Sequence, residues 1–328
     1  MTRRAALALL AGSLVAGPRG VGAQPRPRVW RIGYLGDGSA AGRGSINLDP
    51  FREGLRELGY VEGQNLAMEV RWSEGRNERL GELAAELVRL KVDVLVTHGL
   101  PASRAAKAAT TTIPIVIANI ADILGTGMVS SLARPGGNIT GLTDQALDLS
   151  TKEVGLLKQM MPSLDRVGIV WNRTSPTASR IAELSRAAAR AAGLQVTPFE
   201  MQGVDDLDTV LDAAVRARPG ALIIVHDPIT VEYRARIAQA LLRRRLPGIC
   251  ASPWMADAGL LMAYGPDQTR LFKRAAVFVD KILKGARPGD LPVEQPTQFD
   301  LIINLKTARA LGITVPPSVL LQAARVIE

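Results

Sequence analysis

The stretch Ala221-Leu222-Ile223-Ile224-Val225, followed by His226-Asp227-Pro228, decides the fold class. Its apolar residues follow one another without polar alternation, which predicts a strand that is buried on both faces of a parallel sheet. The aspartate and proline after it are typical of a turn that leads into a helix. Similar apolar runs alternate with longer alanine- and leucine-rich runs along most of the chain, and this alternation predicts an α/β protein.

The same strand–helix–strand unit occurs earlier in the chain. Residues 92–97 form an apolar run that ends at His98, and a helical run then leads to Ile113-Pro114, where the next strand opens. After residues 221–225, the next strand opens in the same way at Leu246-Pro247. One such unit in each half predicts two doubly wound parallel-sheet lobes joined by a multi-crossing hinge. A cleft should lie where the carboxyl ends of their strands meet.

These patterns also predict the bounds of the elements and of the lobes. The predicted strands cover residues 29–36, 65–72, 92–97, 113–119, 139–143, 166–171, 195–200, 221–226, 246–252, 260–264 and 299–303. The predicted helices cover residues 50–58, 77–90, 103–109, 151–161, 176–192, 205–217, 230–245, 267–283 and 305–311. We expect a first lobe of residues 24–142 plus about 266–296, and a second lobe of residues 143–265 plus about 297–328.

Residues 1–23 have the features of a secretory signal in the right order. Arg3-Arg4 precede an apolar run over residues 5–16, and Val21-Gly22-Ala23 supply small residues before a cleavage site, so that Gln24 would begin the mature chain. The apolar run is shorter than the roughly 20 residues that a membrane-spanning helix needs. An N-terminal anchor or a buried helix is the alternative interpretation. The signal predicts a periplasmic protein, exported by the general or the twin-arginine route.

Composition argues against several classes of function. Removing residues 1–23, which hold three arginines and no acids, lowers the formal charge from +9 to +6. The densest basic run, Arg243-Arg244-Arg245, ends a predicted helix and has no aromatic residues among it, so nucleic-acid binding is not expected. Cys250 is the single cysteine and the chain has two histidines, which excludes an internal disulfide and a cysteine- or histidine-rich metal site. No cofactor is expected.

Candidate binding residues follow from the fold class, because ligands of open α/β sheets bind outside the carboxyl ends of the strands. The residues that this rule places at the cleft, with those where the chain changes lobe, are Gly36, Asp37, Thr97, Gly99, Ser103, Asn119, Asp122, Asp144, Asn172, Asp227, Trp254 and Tyr264.

Charge suggests how a ligand could be held by these loops. The helix that begins near Gly99 and Ser103 could bind a carboxylate through its free N–H groups, although an ordinary strand–helix turn has the same sequence. Asp122, Asp144 and Asp227 could each receive an ammonium group, and each could equally cap a helix or form a turn.

Two aromatic residues stand beside the expected cleft. Trp254 and Tyr264 could cover a flat, apolar part of a ligand, or could simply pack between the lobes. Together with the acids they suit a small zwitterion or carboxylate, such as an amino acid. A neutral, sugar-like ligand uses the same residue types and stays open.

Enzyme motifs are weak or missing. The run from Gly36 to Ala41 fits a loose G-x-G-x-x-A pattern, but the next predicted helix begins only near residues 47–50, and Arg71-Trp72-Ser73 stand where an acid is expected. The sequence has no Gly-Lys-Ser/Thr phosphate loop and no G-x-S-x-G nucleophile motif. A non-enzymatic role is therefore expected, with an exported enzyme or a sensory ligand-binding protein on the same fold as alternatives.

Many short motifs, in order along nearly the whole chain, resemble the ABC transporter substrate-binding proteins of the tryptophan/tyrosine-binding type. They are Phe51-Arg52-Glu53-Gly54-Leu55, Gly59-Tyr60-Val61-Glu62-Gly63-Gln64-Asn65, Arg71-Trp72, Glu74-Gly75, Lys107-Ala108-Ala109-Thr110, Ile113-Pro114-Ile115-Val116, Arg134-Pro135-Gly136-Gly137-Asn138, Tyr264-Gly265, Ile282-Leu283-Lys284-Gly285 and the run from Phe299 to Ala308. The resemblance implies a type I periplasmic-binding fold with three interlobe crossings. It also implies a protein that captures a solute by hinge closure and delivers it to a membrane permease and its ATPase. We expect this protein to be a monomer.

The resemblance has two departures in the expected cleft. Relatives usually carry small residues and Thr-Pro where this chain has His98-Gly99-Leu100-Pro101, and Asp-Pro where it has Asp122-Ile123. In relatives that bind aromatic amino acids, the loop that matches Gly99–Ser103 holds the carboxylate. The receptor role is therefore implied more strongly than specificity for an aromatic amino acid.

Overall fold

The computed structural model describes residues 28–39 and 45–328. The predicted signal and its cleavage site at Gln24 lie outside the described residues. The strands are β1 (Trp30–Gly36), β2 (Leu66–Trp72), β3 (Val94–His98), β4 (Ile115–Asn119), β5 (Ile139–Gly141), β6 (Arg166–Asn172), β7 (Gln195–Met201), β8 (Ala221–Ile224), β9 (Gly248–Cys250), β10 (Met262–Gly265), β11 (Asp300–Asn304) and β12 (Arg325–Ile327).

Helices occupy most of the segments between these strands. They are α1 (Ser45–Glu57), α2 (Leu80–Arg89), α3 (Leu100–Ala109), α4 (Ser150–Met160), α5 (Pro176–Ala191), α6 (Leu207–Ala217), α7 (Pro228–Glu232), α8 (Arg234–Arg243), α9 (Pro253–Asp257), α10 (Gln268–Leu283), α11 (Leu305–Leu311) and α12 (Pro317–Leu320).

The strands form two separate sheets. The first has the order β2-β1-β3-β4-β5 and is parallel throughout. The second has the order β12-β11-β10-β9-β8-β6-β7 and is parallel except for the pair β10–β11. The prediction of two doubly wound parallel-sheet lobes is confirmed, and the antiparallel pair lies in the C-terminal part, where the strand–helix alternation of the sequence also breaks. Here β11 follows a helix that packs on the other sheet, so the chain re-enters the second sheet from the opposite direction.

Helices cover both faces of each sheet, and successive strand residues point to opposite faces, so neighbouring residues of a central strand enter different cores. In the first sheet, Ile32 and Tyr34 pack under α1 and α10, while Leu35 packs under α2 and α3. In the second sheet, Ile223 packs under α4 and α5, while Leu222 packs under α6 and α8. Continuous apolar runs such as residues 221–225 therefore supply two cores at once, as the sequence predicted.

We call the first sheet with α1–α3 and α10 the first lobe, and the second sheet with the other helices the second lobe. Within the described residues the chain passes between the sheets three times: after β5, between β10 and α10, and before β11. The crossings are tied together, since the Thr143 N–H donates to the Glu294 carbonyl (3.0 Å) and the Asp144 N–H donates to the Ile120 carbonyl (3.1 Å). The predicted residue bounds of the lobes stay a prediction.

The helical prediction for residues 230–245 needs correction. The structure has two helices there, α7 and α8, with Tyr233 between them at φ −98° and ψ 21°. A proline and a capping aspartate start α7 early, and the short helix ends within five residues. Among the described residues, no helix combines the length and the apolar character that a membrane span requires.

Candidate functional site

The two lobes contact each other through loops that follow the carboxyl ends of their strands. From the second lobe, Trp254 after β9 packs against the core of the first lobe. From the first lobe, Ala121 after β4 packs against the core of the second. The Ser39 hydroxyl, after β1, donates a hydrogen bond to Glu232 Oε1 at the end of α7 (2.9 Å). The carboxyl edges of both sheets thus face one cleft, as the fold rule predicted.

A buried histidine organises the first-lobe side of this cleft. His98 ends β3 and is 5 % exposed. Its Nδ1 lies 3.2 Å from the Tyr34 hydroxyl, and its Nε2 lies 3.1 Å from Asn47 Nδ2 and 3.3 Å from Asp37 Oδ1. The ring of Phe272 meets the imidazole edge-on, with centroids 5.7 Å apart. Both ring nitrogens therefore have partners, and the imidazole lies in a polar network inside an aromatic shell.

Gly36 contributes to this shell through its lack of a side chain. It is the last residue of β1, and a Cβ atom there would overlap the ring of Trp72. The Trp72 ring lies 5.3 Å from the Tyr34 ring. Close packing of the network thus accounts for glycine at position 36, and its predicted contact with a ligand stays a prediction.

The start of α3 is held by its own loop. Gly99 has φ 70°, which favours glycine, and its N–H donates to the Asn119 carbonyl (2.8 Å). The Ser103 hydroxyl donates to the Gly99 carbonyl (2.7 Å) and lies 2.9 Å from Thr97 Oγ1, with both hydroxyl side chains fully buried. A Cβ on Gly99 would lie 3.6 Å from Asp37 Oδ2, so a protein carboxylate already stands beside this helix end. A ligand carboxylate placed here, as the sequence predicts, would have to share the helix end with Asp37.

Each of the three candidate aspartates accepts a hydrogen bond from a nearby backbone N–H through one carboxylate oxygen. Asp122 Oδ1 accepts an N–H from three residues further on (2.7 Å), and Asp144 Oδ1 accepts one from two residues further on (3.1 Å). Asp227 Oδ1 caps α7 and lies 3.4 Å from Asn172 Nδ2. These are the turn and cap roles that the sequence left open, and their contact with a ligand ammonium stays a prediction.

The two candidate aromatic residues are placed differently. Trp254 is half-buried and lies between the lobes. Tyr264 stacks on Phe299 with centroids 6.1 Å apart, and Lys152 Nζ lies 5.8 Å from the centre of its ring. Burial raises the pKa of the Tyr264 hydroxyl above its usual value. Trp254 is thus the aromatic residue that spans the interface, while Tyr264 packs beside the crossing into α10.

Polar atoms without a partner gather at the first-lobe edge. Asn119 ends β4, and its Nδ2 donates to Oε1 of Gln268, the first residue of α10. Asn119 Oδ1 and Gln268 Nε2 are buried and have no hydrogen-bond partner among the described residues. Oδ1 of Asn47, in the first turn of α1, is also buried and has no hydrogen-bond partner among the described residues.

The second-lobe edge has two further buried atoms of this kind, the Ser252 hydroxyl after β9 and Glu153 Oε1 in the first turn of α4. Glu153 is 2 % exposed, and burial raises the pKa of its carboxyl to about 8. Sequence patterns did not single out Glu153 as a candidate. The signal was present, because Glu153 lies on the same side of the predicted helix 151–161 as Leu157 and Met160, where an apolar residue is expected.

The cleft therefore combines hydrogen-bonding atoms from both lobes that the described part of the protein leaves unsatisfied. Burying such an atom costs about 1–3 kcal/mol when it stays unpaired. A polar molecule between the lobes would satisfy several of them at once. Within residues 28–39 and 45–328, no cluster of three or more histidine, cysteine, aspartate or glutamate residues is placed to hold a metal ion.

Two α/β lobes, three crossings and a polar cleft between the carboxyl edges define a type I periplasmic-binding fold. The family model described as "ABC transporter substrate binding protein" matches residues 45–327, and the chain belongs to this family.

Known proteins agree with this assignment. The chain is 24 % identical over 264 residues to a tyrosine-binding protein of Clostridioides difficile, a match that covers 80 % of this chain and 75 % of the relative. It is 27 % identical to the ABC domain from Streptococcus pneumonia solved in complex with L-Trp, with a TM-score of 0.83 and coverage of 91 % and 100 % of the two chains. A ligand-free, open substrate-binding protein from Clostridium difficile has the same fold, with a TM-score of 0.66 at 21 % identity and coverage of 91 % and 99 %.

Proposed function

We propose that this protein is the solute receptor of an ABC importer and binds a small polar ligand between its lobes. It would work in the periplasm as a monomer, and would deliver its ligand to a membrane permease and the ATPase of that permease. The observation that carries the proposal is the set of buried, unpartnered polar atoms on both sides of the cleft. Because these atoms belong to opposite lobes, one ligand that pairs with both sides stabilises the closed arrangement.

An amino acid is the ligand class that the comparisons favour. Of the relatives described above, one is named a tyrosine-binding protein and one was solved in complex with L-Trp. Trp254 offers an indole face between the lobes, and the edges supply both acceptor and donor atoms in Glu153, Asn119 and Gln268. A zwitterion needs both kinds of atom, because its ammonium donates and its carboxylate accepts.

A thermal-shift screen of residues 24–328 tests the proposal, with amino acids, sugars and small carboxylates as probes. A ligand at one hundred times its Kd adds about 2.7 kcal/mol of stability, which raises the melting temperature by several degrees. The double variant Asn119→Leu with Gln268→Leu removes the unpartnered amide atoms of the first-lobe edge. Since both members of the hydrogen-bonded pair become apolar, its own stability should change by about 1 kcal/mol or less, while the ligand-induced shift is lost.

The matched control is a second amide pair on the surface. Gln322 Nε2 donates to Gln159 Oε1 (2.8 Å), and both residues are exposed. The double variant Gln159→Leu with Gln322→Leu should keep the full ligand-induced shift. The proposal fails if no probe raises the melting temperature of the wild-type protein, or if the cleft variant responds to the ligand as strongly as the surface variant does.

A further inference from the structure

We propose that the carboxyl group of Glu153 binds the amine of the ligand and so selects ammonium-bearing solutes. This inference rests on the proposed function and names the side chain that recognises the amine of the ligand. Glu153 was not among the residues that the sequence patterns indicated.

The position of α4 brings Glu153 to the cleft. The helix begins directly after the first crossing, whose Asp144 N–H is bonded to the Ile120 carbonyl at the end of the first sheet (3.1 Å). It then packs against β9 and α5 and leads into β6. Because α4 precedes β6 and covers the sheet, its first turn lies at the edge where the parallel strands of the second sheet end. Glu153 stands in that first turn.

The side chain points inward rather than toward solvent. Val154, Leu157 and Met160 of the same helix belong to the core of the second lobe, and Glu153 is as buried as they are. Its Oε1 has no hydrogen-bond partner among the described residues. A carboxylate in such a place would be strongly destabilised, so the group holds its proton at neutral pH, with a pKa of about 8 that burial alone causes.

The charged groups around α4 do not neutralise Glu153. On β9 the titratable neighbour is the buried thiol of Cys250, whose pKa is raised by burial and by the nearby Glu153 charge. Asp148, just before α4, is exposed, and α12 carries no titratable residue. The ammonium group of Lys152, on α4 itself, lies near the Tyr264 ring. On α5, the charged residues are the exposed Arg180, Glu183 and Arg190 and the half-buried Arg186. No ion pair joins Glu153 to any cation in the part of the chain that the structure describes.

An ammonium group supplies what this site lacks. It brings a positive charge to a buried carboxyl without a counterion, and it offers three N–H donors. The Ser252 hydroxyl, two residues beyond the end of β9, is a second buried oxygen without a partner at the same edge. When an amine-bearing ligand enters at pH 7, the Glu153 carboxyl releases its proton to the buffer, and the resulting carboxylate pairs with the ammonium. No covalent bond in the ligand changes.

Calorimetric titration with matched probes tests the inference. The amine-bearing probes are L-tryptophan, L-tyrosine and L-leucine, and their counterparts without the amine are indole-3-propionate, 3-(4-hydroxyphenyl)propionate and 4-methylpentanoate. At least one amino acid should bind the wild type ten or more times more tightly than its counterpart. In Glu153→Gln its affinity should fall some tens- to thousand-fold. The control Glu183→Gln, an exposed carboxylate on α5, should bind as the wild type does.

Proton release gives a readout that a merely structural role of Glu153 would not change. Titrations at pH 7 in buffers of different ionisation enthalpy should show close to one proton released per bound amino acid, because a carboxyl with a pKa of about 8 is mostly protonated at that pH. Glu153→Gln should release none. Thermal melting of each variant without ligand confirms that it is folded.

Three results would overturn the inference alone: equal affinity for an amino acid and its counterpart, unchanged binding by Glu153→Gln, or binding without proton release. If none of the six probes binds while a sugar or carboxylate of the thermal-shift screen does, the inference also fails and the receptor role stands. If no probe of either set binds, both the inference and the proposed function fail.

Discussion

Two clusters in the cleft, one around His98 and one around Glu153, treat buried polar groups in opposite ways. At the first-lobe edge, His98 is surrounded by Tyr34, Asn47 and Asp37, and both of its ring nitrogens have partners. At the second-lobe edge, Glu153 and Ser252 are equally buried, yet each keeps an oxygen without a partner among the described residues. The first arrangement stabilises the free protein, and the second costs stability until a ligand arrives. The cleft thus holds a histidine cluster whose paired nitrogens stabilise the free protein, and two unpartnered oxygens that are available to a ligand.

The largest expected effect is a pH dependence of stability that comes from Glu153. Its folded-state pKa of about 8 lies above the ordinary value of 4.5, so the folded protein holds the proton more tightly than the unfolded chain does. The stabilisation is complete below pH 4.5 and is lost as the pH rises through 8, up to about 5 kcal/mol in all. Glu153→Gln removes this dependence, and the variant should therefore be more stable than the wild type at pH 8.

Urea unfolding of both proteins at pH 5, 6, 7 and 8 measures this difference in the free energy of unfolding. Glu183→Gln should follow the wild type across the whole range, because the Glu183 side chain is exposed. A gap between the wild type and Glu153→Gln that stays constant with pH would show that Glu153 is ionised in the folded protein.

A smaller expected effect comes from comparing the free energy of unfolding of a variant in the His98 cluster with that of a variant in the Glu153 cluster. His98→Ala leaves the Tyr34 hydroxyl and the Asn47 amide buried without their partner, which should lower the free energy of unfolding by about 3 kcal/mol. Ser252→Ala removes a buried hydroxyl that has no partner among the described residues, so it should leave the free energy of unfolding unchanged or raise it by up to about 1–3 kcal/mol. Equal losses in the two variants, measured by urea unfolding at pH 7, would contradict the contrast between the His98 cluster and the Glu153 cluster.

Much of the fold could be predicted from sequence because its signals are local. Predicted strands such as residues 166–171 and 195–200 lie within two residues of the observed β6 and β7, since apolar runs and turn residues mark both ends. The three-residue strand β12 was not predicted, because Arg325-Val326-Ile327 is too short to show a period. The break at Tyr233 was also hidden, since amphipathic spacing continues across it.

The site was harder to predict because its chemistry depends on distant partners. The rule that ligands bind at carboxyl edges indicated Asn119 and Trp254 from sequence alone, and their contact with a ligand stays a prediction. That Asn119 pairs with Gln268, 149 residues away, depends on the crossing that brings α10 back to the first sheet. The same holds for His98, whose partners come from β1, the loop after it and α1. Which polar atoms remain unpartnered is a property of the whole fold, so no local pattern reports it.

The most direct test of the account is a crystal structure of residues 24–328 with the amino acid that most raises the melting temperature. We predict that the ligand lies between the lobes, with its amine about 2.7–3.2 Å from a Glu153 carboxylate oxygen and with contacts to the first-lobe edge at Asn119 or Gln268. A ligand bound elsewhere, or one bound in the cleft with its amine away from Glu153, would contradict the account.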